Sequence, residues 1–139
     1  MMETEKCVIV LREDLPAGVA ANTAAILGIT LGQRRPDLVG PDAADGGGKR
    51  HPGIIQIPVP VLRADVAQLR EIQDKLESLK FQGVTAVDFS TLAQGCRTYG
   101  EFLEKMAGAV PDSLEELGLL LCGSAKQVNR LTGSLPLLR

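Results

Sequence analysis

The chain has 139 residues, the common size of a single domain and long enough to bury a real core. Hydrophobic residues make up 45% and aromatics only 3%, so the core must be aliphatic, and stacking platforms for single-stranded nucleic acid are scarce. The formal net charge of -2 opposes a general grip on a phosphate backbone, although Arg34, Arg35, Lys49 and Arg50 bracket one loop.

The start, MMETEKC, lacks the charged-then-apolar pattern of a leader, and no apolar run reaches membrane length, so a cytoplasmic protein is expected. Cys7-Val8-Ile9-Val10-Leu11 is a continuous apolar run, the pattern of a strand buried on both faces. After Arg12-Glu13-Asp14-Leu15, Pro16 suits a helix start, and residues 18–31 predict a helix rich in Ala and Gly that can lie close to a sheet. Gly and Pro density over residues 32–52 predicts a long loop without regular structure. Residues 53–60 (GIIQIPVP) predict a strand, placed at a sheet edge because Pro58 and Pro60 lack a ladder donor.

Residues 64–80 carry Val66, Leu69, Ile72, Leu76 and Leu79 at three- and four-residue steps, which predicts an amphipathic helix stopped by Gly83. Residues 84–89 (VTAVDF) read as a third strand. The capping-box spacing Thr98 to Glu101 opens a helix running to Met106, and a short helix is expected over residues 113–117. Residues 118–122 (GLLLC) read as a further buried strand. Ser124 to Gln127 caps a last helix that ends at Thr132-Gly133. The alternation predicts one α/β domain over 1–139: a three-layer sandwich with a mixed, mainly parallel sheet of about four strands and helices on both faces.

In such sheets a ligand crevice lies at the carboxyl ends of parallel strands. Arg12 and Asp14 follow the first strand there, and Asp88, Ser90 and Thr91 end the third; Asn22 and Thr23 on the first helix can face the same place. Two readings stand. Arg12, Asp14 and Asp88 are candidate catalytic groups that position a water or a polar substrate, or they form an ion pair that ties strand ends together. His51 is the one histidine, so acid–base chemistry that needs imidazole must use it; a dyad with Cys96 has nothing to orient it, and an exposed loop residue is the alternative. Gly46-Gly47-Gly48-Lys49 fails as a phosphate loop, because Ala43 and Arg50 occupy the positions of its first Gly and its Ser or Thr; anion binding by the loop backbone is the residual reading. Three cysteines without a CxxC pair argue against a disulfide framework or zinc site, and no spacing implies a metal or cofactor.

Arg12-Glu13-Asp14-Leu15, Val19-Ala20-Ala21-Asn22 and the closing stretch from Cys122 to Leu138 (CGSAKQVNRLTGSLPLL) resemble the R-x-D-L, V-A-A-Q and TG-x-L-x-LL segments of type-two peptidyl-tRNA hydrolases, in the same order. With GIIQIPVPVL and the extra helix after Asp88, the chain resembles more closely a sister family, the domain of unknown function numbered two thousand. The resemblance implies a hydrolase-like fold with Asp88 at the family's catalytic aspartate. The chain departs from the hydrolases where it has no Lys between Leu15 and Asn22, and Ala24-Ala25-Ile26 where they place a histidine. A small-ligand-binding or hydrolase-like protein is therefore expected. The alternatives are a peptidyl-tRNA hydrolase, which would take tRNA as partner, and a non-enzymatic, dimeric interaction module that uses its Pro-bearing edge strand or the long loop.

Overall fold

The run at residues 118–122 lies at the centre of the sheet, which accounts for its composition. It belongs to β6 (Glu116–Ser124), flanked by β1 (Glu5–Arg12) and β5 (Thr85–Ser90), with β4 (Val61–Ala64) outside β1, in the order β4-β1-β6-β5. A strand with neighbours on both sides and helices over both faces has no wet surface, so every position can be apolar. Leu119, Leu120, Leu121 and Cys122 are at most 1% exposed, as are Cys7, Val8 and Val10. Each fully buried leucine contributes about 1.5–3 kcal/mol relative to an exposed one. The computed structural model describes residues 4–139; residues 1–3, on which the expected lack of a leader partly rests, lie outside the described residues.

The sheet is mixed. β1 pairs parallel with β4, and β6 is antiparallel to both β1 and β5. Three strands run one way, yet two of the three pairings are antiparallel because the reversed strand sits between its neighbours. An alternation of strands and helices does not fix that direction. Here α3 (Thr91–Gln94) and α4 (Tyr99–Ala107) leave and return to the same end of the sheet, where Thr91 N donates to the Glu115 carbonyl at 2.9 Å.

Side chains alternate between the two faces. Val8, Val10, Leu119 and Leu121 pack with α2 (Val66–Leu76) and α5 (Ala125–Thr132) through Leu69, Ile72, Val128 and Leu131. Cys7, Ile9, Leu11 and Leu120 pack with α1 (Ala17–Arg34) through Leu27 and Leu31. α1 comes close because β6 presents Gly118 to it. A Cβ there would lie 2.8 Å from Leu11 Cδ2 and 2.9 Å from Thr23 Cγ2. Hydroxyl caps open the helices as expected: Thr98 accepts from Glu101 N at 3.1 Å and Ser124 from Gln127 N at 3.3 Å.

Several expectations are corrected. Residues 53–60 form no strand: Ile55 makes a single bridge to Val39, the chain bends at residues 56–57, and the edge strand is Val61–Ala64, beginning just past Pro60, which has no N–H to donate. The loop 32–52 contains structure: α1 runs to Arg34, and β2 (Ala43–Ala44) pairs with β3 (Arg50–His51). The turn between them is held by Asp45, which accepts from Gly47 N and Lys49 N at 2.9 and 3.1 Å. That carboxylate fills the backbone nest read above as an anion site. Helix α2 ends at Leu76, and Leu79 is 79% exposed in a separate turn rather than in the apolar stripe. No helix forms over 113–117; a 3-10 turn covers Pro111–Ser113, and Glu116 already belongs to β6. The outer edge of β4, the expected face for a second subunit, carries the chain's own C-terminal segment. Arg63 N donates to the Pro136 carbonyl at 3.0 Å and Leu138 N to the Val61 carbonyl at 2.8 Å.

Candidate functional site

One end of the sheet gathers the carboxyl ends of β1, β4 and β5 with the start of β6. Arg12 closes β1 with its Nε donating to Asp14 Oδ1 at 2.6 Å, and its Nη1 lies 4.0 Å from Glu115 Oε2. Asp14 is 66% exposed, so this pair is a solvent-screened tie of small energetic weight. Ser90 is buried and caps α3, accepting from Ala93 N at 3.3 Å; Thr91 stands exposed at the first position of that helix. Asn22 reaches across from α1 and donates to Gln94 Oε1 at 3.3 Å. Arg12, Asp14, Asn22, Asp88, Ser90 and Thr91 therefore share one end of the molecule.

Thr23 and His51 are placed differently. Thr23 is fully buried, and its hydroxyl donates back to the Val19 carbonyl at 2.8 Å, facing Gly118 rather than solvent. His51 belongs to the hairpin that follows the far end of α1, where its Nε2 lies 2.9 Å from Asp45 Oδ2. Cys96 donates to the Leu92 carbonyl at 3.2 Å, so His51 and Cys96 each bond elsewhere. Cys7 and Cys122 oppose each other across β1 and β6, both free and buried; hydrogen bonding to Cys122 and burial push the Cys7 thiol up, away from reactivity. Among the described residues, no three His, Cys, Asp or Glu side chains come together as a metal site.

The most unusual group is one the sequence reading passed over. Glu116 is 5% exposed at the first position of β6. Its Oε1 accepts from Gln73 Nε2 of α2 at 2.9 Å, and its Oε2 is buried without a hydrogen-bond partner. Burial, and then the charge of the exposed Asp88 carboxylate facing it, push the Glu116 carboxyl up to about 7. Arg70 adds a nearby positive charge while its Nη2 donates to the Leu114 carbonyl at 3.3 Å. A β-bulge between Phe89 and Ser90 lets Glu116 share the face of Asp88. A carboxyl that holds its proton near neutral pH beside a second acidic side chain can give and take a proton in one cycle. The signal for it lay in the sequence: an acidic residue directly preceding a run that is otherwise wholly apolar.

Asp88 and Ser90 also border a groove of about 860 Å³ along the outer edge of β5, walled by α1 and α4. Among the described residues, no helix is long and apolar enough to cross a membrane.

Comparison with curated proteins finds no match. Among solved structures, the chain is similar to a protein of unknown function from Agrobacterium tumefaciens strain C58, with a TM-score of 0.87 at 20% identity, covering 99% of this chain and 98% of that one. At that identity the likeness speaks for the fold. The family described as "Protein of unknown function (DUF2000)" matches residues 5–139, and the chain belongs to it.

Proposed function

We propose that the protein binds a small polar ligand, and acts on it in a hydrolase-like manner, at the sheet end built by Arg12, Asp14, Asp88 and Glu116. The observation that carries this reading is the buried Glu116 carboxyl, with one unpartnered oxygen, facing Asp88. A fold gains nothing in stability from such a group, because an unsatisfied buried carboxyl costs about 1–3 kcal/mol. Retained acid–base chemistry explains it better than packing. Protonated Glu116 is the acid, Asp88 the base or water-positioning group, and Arg12 with Asn22, Ser90 and Thr91 supplies polar contacts around them. Thr23, in the core, and His51, in its hairpin, are assigned structural roles in this scheme.

The test is a ligand screen by thermal shift at pH 6 and pH 8, repeated with Asp88→Asn and Glu116→Gln. The expected outcome is a polar ligand whose shift depends on pH between those values and disappears in either variant. Ligands that shift all three proteins alike would remove the site assignment.

A second reading, kinship with type-two peptidyl-tRNA hydrolases in a three-layer fold of their kind, is supported by the Arg12 to Leu15 and Cys122 to Leu138 segments and by Asp88 on β5. The absence of Lys between Leu15 and Asn22 weighs against their mechanism. Release of N-blocked amino acid from charged tRNA, lost in Asp88→Ala, is the result that would favour it. No turnover beside an active type-two hydrolase leaves the small-ligand reading.

A further inference from the structure

The two edges of the sheet are treated differently. The outer edge of β4 is closed by the chain's own C-terminal segment, whereas among the described residues nothing pairs with the outer edge of β5. Every second residue of such a strand turns its N–H and C=O outward, a template for a further strand. The groove of about 860 Å³ runs along this edge and is lined by all six residues of β5. Across it stands α4, which buries no residue. Tyr99, Phe102 and Met106 nevertheless fall on one face of α4 and turn toward the groove, Tyr99 being 71% exposed. An amphipathic helix whose apolar stripe is at most partly buried marks an interaction surface.

The charges choose the occupant. Arg34 closes α1 at the end of the groove where β5 begins, and Arg97 follows α3 at the end where β5 finishes. Among the described residues neither guanidinium has an ion pair. Asp88 lies across β5 from Leu119, so its carboxylate turns to the opposite face with Glu116. A second copy joined edge to edge by a two-fold axis would bring Arg34 of one protomer beside Arg97 of its partner, which like-charge repulsion opposes.

We propose that the groove beside β5 binds an extended acidic peptide segment of another protein as an added strand, its apolar side chains against α4 and its terminal acidic side chains on Arg34 and Arg97. Backbone hydrogen bonds supply affinity in this mode, and the arginines set register and charge preference. The groove adjoins the proposed site at Asp88 and Ser90, but the proposal does not depend on the chemistry of the Asp88–Glu116 pair.

The experiment is fluorescence anisotropy with a labelled Glu-Val-Thr-Val-Thr-Val-Glu peptide, its Lys-for-Glu counterpart, and two versions N-methylated at alternate amides. The expected result is saturable, salt-weakened binding of the acidic peptide, at least about ten-fold tighter than the lysine peptide. One N-methylated set should lose binding and the other keep it, because an added strand uses only alternate N–H groups. The Arg34→Glu, Arg97→Glu double variant, with unchanged circular dichroism, should reverse the preference and take the lysine peptide. No binding of the acidic peptide up to millimolar concentration, equal effects of the two N-methylated sets, or a double variant with unaltered preference would overturn the proposal. Sedimentation velocity adds a further arm: a concentration-dependent dimer abolished by blocking β5 would hand the groove to a second copy and overturn it likewise.

Discussion

Glu116 is held out of water at a place where its neighbours satisfy only half of it, and this has a definite consequence for stability. In the unfolded chain its carboxyl titrates at its ordinary value near 4.5; in the folded protein burial and Asp88 raise it to about 7. The folded state therefore binds more protons than the unfolded state between those values, so this group's contribution to stability is present below the lower one and is lost as pH rises through the upper one. At 1.36 kcal/mol per pH unit, the loss is on the order of 3 kcal/mol once the group is fully ionised. Glu116→Gln keeps an oxygen for Gln73 and removes the titration. The expected melting temperature of Glu116→Gln equals that of the parent near pH 5 and exceeds it at pH 8, with Asp88→Asn giving a smaller gain in the same direction. Melting curves for the three proteins across that range check this, and a parent that is as stable at pH 8 as at pH 5 would refute the buried charge.

At the level of elements, what the sequence disclosed follows from whether a signal was local. The apolar runs of β1 and β6, the stripe of Leu69 and Ile72, and the hydroxyl caps at Thr98 and Ser124 are each written in a few adjacent residues, and all are present. The direction of β6 was not legible, since a strand buried on both faces is apolar whichever way it runs. Glu116 was hidden for a related reason: the approach to β6 read as a short helix, and its partners Gln73 and Asp88 come from distant parts of the chain. The placement of Arg12 and Asp14 at the end of β1 was legible because strand ends are local features, whereas the burial of Thr23 depends on a glycine some ninety-five residues further on, at 118. That contact makes a prediction. Gly118→Ala puts a methyl against Leu11 and Thr23 side chains at 2.8 and 2.9 Å, so α1 must move off the sheet or the side chains must leave their rotamers. Overpacking of this kind costs about 1–3 kcal/mol. Denaturant unfolding should show a lower midpoint with an unchanged slope, and Gly118→Ala combined with Thr23→Ser, which removes the methyl that the new one meets, should recover part of the loss. Equal midpoints for Gly118→Ala and the parent would mean that α1 has slack.

For the whole molecule, the asymmetry between the sheet's edges sets what it can associate with. β4 is short, preceded by prolines, and sealed by residues 136–138 through the hydrogen bonds of Arg63 N and Leu138 N. Leu135 and Leu138 add side chains to the two cores on opposite faces of the sheet, so this closing segment fastens both layers as well as the edge. Removing residues 135–139 would forfeit two backbone hydrogen bonds to β4 and that of Leu135 N to the Thr132 carbonyl, worth about 1 kcal/mol each. It would also lose the burial of two partly covered leucines at about 1 kcal/mol apiece. The expected fall in melting temperature is on the order of 10 °C for a chain of this length. It would also leave unpaired N–H and C=O groups on β4, and an open edge recruits another chain. The truncated protein is therefore expected to show concentration-dependent association, beyond that of the full chain, by light scattering. Leu138→Asp in the full-length protein separates the two contributions, because it weakens the packing on one core while keeping the backbone that covers the edge: it should lower the melting temperature without raising association. If the truncated chain melts with the parent and stays at the same mass, β4 is protected by its prolines alone, and the C-terminal segment is free to serve some other purpose.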